Sequence, residues 1–388
     1  MEKKYDYIIA GAGCAGLSLL MRMINDSFFA SKKILVIDTA VKNTNDRTWC
    51  FWETESDIFE PIVYHQWKSL DFFSDHFSGT LSINPYNYKM IQGIDFYQFV
   101  INKAAAYKNV EWVNATINSI ENSADESTAN VVLQDGSIFV ADKVFSSILF
   151  APIKVESHQF YFQQHFKGWL IKTEKPCFDA TKATFMDFRV SQQHGTTFMY
   201  MLPVANDKAL VEYTLFTKQV LENSEYDFAL KNYISNFLTI DEYTIEHEEF
   251  GIIPMTNASF SEQNGHIIYI GIAGGQAKAS SGYAFKFIQK RTQAIIDSLK
   301  KGNSLTSYSL KTAKGHLYDS TLLRVLHEGK LQGDAIFASI FKNNKAANVL
   351  SFLDNESSLL TDLKIMNSVP ASIFFPAAIA EFAAHFKN

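Results

Sequence analysis

Cysteine is scarce in this chain, and its three copies, Cys14, Cys50 and Cys177, are far apart and in no C-x-x-C pairing. An odd, scattered set builds neither a disulfide framework nor a zinc site, so a reducing cytoplasm is the expected setting and no metal is expected. Lys/Arg-rich runs are absent and the formal net charge is −6, which argues against the clustered basic surface of a nucleic-acid binder. No stretch approaches the ~18 apolar residues of a membrane-spanning helix. The N-terminus lacks the basic region, apolar core and cleavage site of a secretory signal, and enters a strand by Tyr5. Internal repeats and low-complexity tracts are also missing. Phenylalanine is plentiful, 33 of 388 residues, in a composition that is 47% hydrophobic. That length holds two domains or one large α/β domain with an insertion. The aromatic excess serves either a Phe-rich core or a greasy ligand.

The stretch from Tyr5 to Asp38 organises the rest. Tyr5 to Ala10 is a short apolar run, Gly11-Ala12-Gly13-Cys14-Ala15-Gly16 is a glycine turn, Leu17 to Ile24 carries apolar residues at helical spacing, and Ile34 to Ile37 reads as a second buried strand. Gly11 permits the tight turn, Gly13 lets backbone approach a pyrophosphate, and Gly16 lets helix and strand pack closely. The helix start, with Ala12 and Ala15 beside those glycines, offers N–H groups to phosphates. Asp38, ending the second strand, stands where an acid accepts hydrogen bonds from an adenosine ribose. Together these predict a dinucleotide site.

Further along, Trp67 to Tyr88 reads as short strands with a turn at Ser78-Gly79, and Asp95 to Tyr107 as a helix with Asp95 as its cap. A β-meander follows from Val110, with Asp135-Gly136 as a hairpin turn. Residues 160–255 read mainly as an antiparallel sheet with a helix at Tyr226 to Phe237. The chain then returns through a buried strand, a glycine loop holding Gly271, Gly274, Gly275 and Gly282, and a helix. From about Tyr308 onward the pattern is helical. The expected fold is α/β: a discontinuous Rossmann-like domain for FAD (1–66, 93–160, 256–305), an inserted antiparallel-sheet substrate domain (67–92, 161–255), and C-terminal helices (306–388) lining or covering the substrate site. This layout fits FAD better than NAD. Gly271-Ile272 and Ser146-Ser147 stand where flavin hydroxylases carry an Asp and an Asp-Gly pair, which counts against a monooxygenase.

Several stretches, AGAGCAGLSL, ILVID, NDRTWCFWE, LVEYTLF, EEFGIIPMT, IGIAGGQAKASSGYAF and FLDNESSLLTDLKIMNSVP, resemble those of bacterial lycopene cyclases, a flavin-dependent family, and they span nearly the whole chain. The resemblance implies closure of the ψ ends of lycopene into β rings without net redox change: reduced FAD, with NAD(P)H as its reductant, faces a carbocation made by protonating the terminal double bond. It also implies an acyclic carotenoid substrate and contact with a membrane surface. Glu212, flanked by apolar residues and matching the family's acidic cyclase motif, becomes the candidate general acid, since desolvation keeps a carboxyl protonated. Of Glu248 and Glu249 only one can face the site, because neighbours on a strand point opposite ways; Glu249 is taken as the pocket candidate. Arg47 and Glu53 are candidates for holding the flavin or the loop, and Trp49, Trp52 and Tyr213 for contacting the polyene. Two other readings stay open: a flavin oxidoreductase (saturase or hydroxylase) acting on an apolar isoprenoid, and a non-catalytic FAD- or lipid-binding protein.

Overall fold

In the computed structural model, which describes residues 3–305 and 313–385, the first apolar run forms strand Lys4–Ala10 at the middle of an eight-stranded sheet. Ile34–Asp38 and then Val110–Asn114 lie on one side, Ile138–Ser146 and then Ile267–Tyr269 on the other, all parallel. Central strands of a parallel sheet are covered on both faces, which is why these runs are continuously apolar instead of alternating. One face carries helices Cys14–Ile24, Gly93–Ala104 and Phe285–Lys301. The meander strands Ile117–Asn122 and Ala129–Leu133 cover the other, and Gly136 turns the hairpin at φ +86°.

A second, seven-stranded sheet runs in the order Thr244–Thr256, Tyr161–Lys172, Lys208–Thr217, Thr196–Ala205, Lys182–Asp187, Ser69–Phe73, Ser78–Ser82. It is antiparallel except where Lys182–Asp187 pairs parallel with Ser69–Phe73. Its two faces are both apolar and have different partners. Trp169, Val211, Tyr213 and Leu215 pack against helix Asn223–Asn236 through Tyr226, Leu230 and Tyr233. On the opposite face Phe185, Phe198 and Tyr200 meet Trp52, Phe337 and Phe341, each fully buried aromatic contributing about 1.5–3 kcal/mol. A small sheet of Thr48–Glu53, Asn87–Gln92 and His65–Trp67 adjoins both large cores.

Local details depart from the sequence reading at several points. The turn in the 69–82 hairpin lies at Ser74 to Phe77, where Ser74 N–H donates to Phe77 O at 2.9 Å, and Ser78-Gly79 begins the next strand instead. Asp95 sits inside the first helical turn, with Gln92 as the N-cap, so its charge faces the helix dipole without capping it. The next helix starts earlier than its apolar pattern, at Asn223, because Glu222 and Glu225 form a reciprocal capping box. Tyr308, where the helical region was placed, lies outside the described residues; helix Ala313–His327 follows, then Gly333–Asn343, Ala346–Leu353, Leu359–Met366 and Ala371–His385. Phe337 and Phe341 are core. Leu359, Leu360, Leu363, Phe375, Ile379 and Phe382 are exposed, Leu360 to 75%.

Candidate active site

The glycine turn is shaped by contact. Gly11 has φ +99°, and its N–H donates to Ile37 O at 2.8 Å, tying the turn to the neighbouring strand. A Cβ on Gly16 would come within 2.0 Å of Gly11 O, so the helix can begin this close to the turn only with glycine there. A Cβ on Gly13 would meet no atom within 4 Å, because Gly13 borders a cavity that Cys14 and Ala15 also line. Asp38 accepts from the N–H of Ala12 (2.6 Å) and of Ala40 (2.7 Å), and Lys42 lies 3.4 Å away. Each of its oxygens thus takes one backbone donor and has a second lone pair.

The return loop closes the site from the far side. Gly271, Gly275 and Gly282 have φ of +65°, +71° and +70°. A Cβ on Gly271 would lie 3.0 Å from Ala15 Cβ, and one on Gly282 only 1.8 Å from Gln164 Oε1, so the loop touches both the helix start and the second sheet. Gly271 and Gly282 line the cavity. Gly274 and Gly275 instead face Tyr269 O and the Phe260 ring, and shape the loop from behind.

A single cavity of about 570 Å³ runs from this turn to the face of the second sheet, where two carboxyls lie side by side. Strand register sets them there. Gly168 is paired with Glu212 on one neighbouring strand and with Glu249 on the other, and Tyr200 is paired with Glu212 one strand further. With no side chain on the middle residue, Glu249 lies over the gap on the side of Glu212: a Cβ on Gly168 would sit 3.1 Å from Glu249 Cγ and 3.1 Å from Leu210 Cδ1. Thr214 Oγ1 donates to Glu212 Oε1 at 2.6 Å and Thr48 Oγ1 to Glu249 Oε2 at 2.8 Å. Burial pushes both carboxyls well above the usual range, and the negative charge of Glu249 raises Glu212 further. Arg47 opposes the rise at Glu249. Two like groups this close titrate as one unit, and the pair keeps at least one proton at neutral pH.

Around the pair stand three phenols from three distant segments. Tyr283 Oη is 3.1 Å from Tyr88 Oη and 3.2 Å from Tyr200 Oη, with Cys50 beside them. Burial raises all four far above their ordinary values, so they stay neutral donors. Gln164 Oε1 and Ser281 Oγ, both on the cavity wall, are buried without a hydrogen-bond partner among the described residues. The cavity reaches the surface at edge strand Thr244–Thr256, where Phe250 and Ile252 line it and are also exposed.

Not all candidates gather here. Arg47, Trp49, Glu212 and Glu249 line the cavity. Glu248 points away, toward Lys167 at 3.3 Å. Tyr213 does not reach the site: following Glu212 on the strand, it points to the opposite face and packs on Tyr226. Trp52 is core, 1% exposed, its Nε1 donating to Leu350 O at 3.1 Å, so it offers no free π face. Glu53 is buried between Lys89 (3.0 Å) and Lys286 (3.2 Å), tying its strand to strand Asn87–Gln92 and to helix Phe285–Lys301. Sequence reasoning missed Gly168, Gln164 and the three tyrosines. Only Gly168 carried a signal, since a glycine inside a strand marks a close approach; the partner it admits is set by register.

The parts fit a flavin dinucleotide. The glycine turn opens onto the cavity at Gly13, the return loop stands opposite, and the unpartnered Gln164 and Ser281 oxygens await a ligand donor. The fold is that of FAD-dependent oxidoreductases. Similar solved structures are a geranylgeranyl bacteriochlorophyll reductase-like protein from Thermoplasma acidophilum (TM-score 0.67, 11% identity, covering 99% of this chain and 100% of that one) and a flavoprotein/dehydrogenase from Cytophaga hutchinsonii (0.63, 12%, 95% and 100%). Another is a probable FAD-dependent monooxygenase from Pseudomonas aeruginosa (0.59, 13%, 88% and 100%). The chain itself belongs to the lycopene cyclase family, whose model, described as lycopene cyclase protein, matches residues 6–378. Among curated proteins it is similar to the lycopene beta-cyclases of Pantoea ananas (24% identity, 81% of this chain and 79% of that protein) and Pseudescherichia vulneris (22%, 77% and 75%).

Proposed function

We propose that this protein is a lycopene β-cyclase that binds FAD at the glycine turn and works with the reduced cofactor, NAD(P)H being the reductant. The observation that carries the reading is the buried carboxyl pair on a cavity continuous with that turn. Glu212 holds an acidic proton where a hydrocarbon must be protonated, and burial keeps that proton in place at neutral pH. Phe166, Trp49, Phe285 and Leu210 give the reacting end group an apolar wall that excludes water, which would otherwise capture the cation. Arg47 and the N-terminus of helix Cys14–Ile24 are placed to hold the cofactor's anionic part. Reduced FAD, when bound, would supply negative charge that favours a cation in this cavity.

The substrate is a membrane-dissolved polyene. No helix among the described residues is long and apolar enough to cross a membrane. The exposed apolar side chains of helices Leu359–Met366 and Ala371–His385 are those we assign to peripheral contact with the bilayer, with Phe375 68% exposed. Expression in a lycopene-accumulating bacterium, followed by pigment analysis, tests the function. A cyclic carotenoid of unchanged mass is expected. A product differing by two hydrogens or one oxygen would make the protein a flavin oxidoreductase, and bound flavin without turnover would make it a binding protein.

A further inference from the structure

Glu249 is not required by a mechanism with Glu212 alone, yet it occupies the same rung of the sheet, 4% exposed, on the wall of the same cavity and close enough for its charge to raise Glu212. The glycine between them leaves the room their contact needs. The pair also faces a binding space: Gln164 Oε1, on the same wall and nine-tenths buried, has no partner among the described residues. From this geometry we infer that Glu212 and Glu249 divide the two proton transfers, Glu212 delivering the first proton and Glu249 accepting the second, with Gly168 as the positioning residue that lets them exchange it. The inference rests on the cyclase reading of the site.

The steps balance. The Glu212 O–H bond breaks as a C–H bond forms at the terminal alkene carbon, leaving a tertiary cation. The neighbouring double bond attacks it, forming the ring C–C bond and moving the positive charge into the ring. A ring C–H bond then breaks, its electron pair becoming the ring double bond and its proton passing to Glu249. The proton returns from Glu249 to Glu212 between the neighbouring carboxyls, so the enzyme is reset without oxidant, reductant or solvent proton. The gain and loss occur at different carbons, and two carboxyls reach both more readily than one. The charged and titratable groups facing the pair are Arg47 and Asp46 from the segment leading into strand Thr48–Glu53, Cys50 on that strand, and Tyr200 and Tyr283.

The test is the pH profile of cyclisation by the FAD-loaded protein carrying Glu249→Gln or Gly168→Ala. In Glu249→Gln, kcat is expected to fall about a hundredfold or more, and the alkaline limb to move to lower pH, because Glu212 loses its negative neighbour. Gly168→Ala is expected to move the limb the same way by pushing Glu249 aside, with flavin absorbance unchanged. A Glu249→Gln protein with wild-type kcat and limb overturns the division of labour. Infrared titration of the carboxyl signal separates this from failure of the cyclase reading. A protonated carboxyl that Glu212→Gln removes, and whose midpoint falls in Glu249→Gln, establishes the pair even if no lycopene is converted. An unmoved midpoint refutes it.

Discussion

Replacing Glu212 by Gln removes the acidic proton and leaves nearly everything else. The amide oxygen still accepts the bond that Thr214 Oγ1 makes at 2.6 Å, the volume is unchanged, and FAD retention is expected to be that of the parent. Loss of a positioned general acid costs ~10²–10⁴-fold, about 2.7–5.4 kcal/mol of transition-state stabilisation at 1.36 kcal/mol per decade. The same substitution has a signature in stability. A buried carboxyl held above its ordinary value of 4.5 stabilises the fold fully below that value, and this contribution is lost as pH rises through the folded-state value. Each proton held by the folded but not the unfolded chain gives a slope of about 1.36 kcal/mol per pH unit. Denaturant titrations from pH 5 upward are therefore expected to show stability falling more steeply in the parent than in Glu212→Gln. Carotenoid chromatography measures the first effect and unfolding midpoints the second. An active Glu212→Gln enzyme, or parallel stability curves, would refute the assignment of a buried protonated acid.

Gly16→Ala forces a Cβ to within 2.0 Å of Gly11 O; a stability loss of about 1–3 kcal/mol and release of flavin, read by absorbance after gel filtration, are expected. Trp52→Phe loses the bond to Leu350 O and about 1 kcal/mol of stability, while its KM for lycopene, measured in liposomes, stays that of the parent because the ring lies outside the cavity; a raised KM would return Trp52 to the site. Tyr213→Phe is likewise expected to leave cyclisation rates unchanged. Leu360→Glu with Phe375→Glu is expected to reduce co-sedimentation with liposomes without altering the far-ultraviolet circular dichroism, and undiminished sedimentation would move the membrane contact elsewhere.

The glycine turn and the two strands around it were legible because backbone demands restrict residue type: only glycine tolerates the φ of Gly11 and the contact at Gly16. Strand alternation shows that at most one of Glu248 and Glu249 can face the site, but it carries no reference for which face is the inner one. That is decided by packing, since the second sheet buries apolar side chains on both faces. The same ambiguity misplaced Tyr213, whose face is equally apolar. Trp52 was misread because an indole within a charged run suggests a site, whereas its charged neighbour Glu53 is neutralised by Lys89 and Lys286. The phenol cluster joins positions 88, 200 and 283, and no local pattern announces a contact assembled from three segments. Helix starts slipped for a simpler reason: the caps at Gln92 and Glu222 precede the apolar periodicity.

The rung formed by Tyr200, Glu212, Gly168 and Glu249 ties catalysis to strand alignment. A strand side chain changes face whenever pairing slips by one position. One residue inserted early in Tyr161–Lys172 would bring His165 or Lys167 toward the cavity in place of Gln164, Phe166 and Gly168, setting a cation or a bulky ring where the carboxyls now meet. Substitutions can therefore retune this site gradually, but single-residue insertions and deletions in these four strands are expected to abolish it at a stroke, and length changes during divergence should collect in the connecting loops.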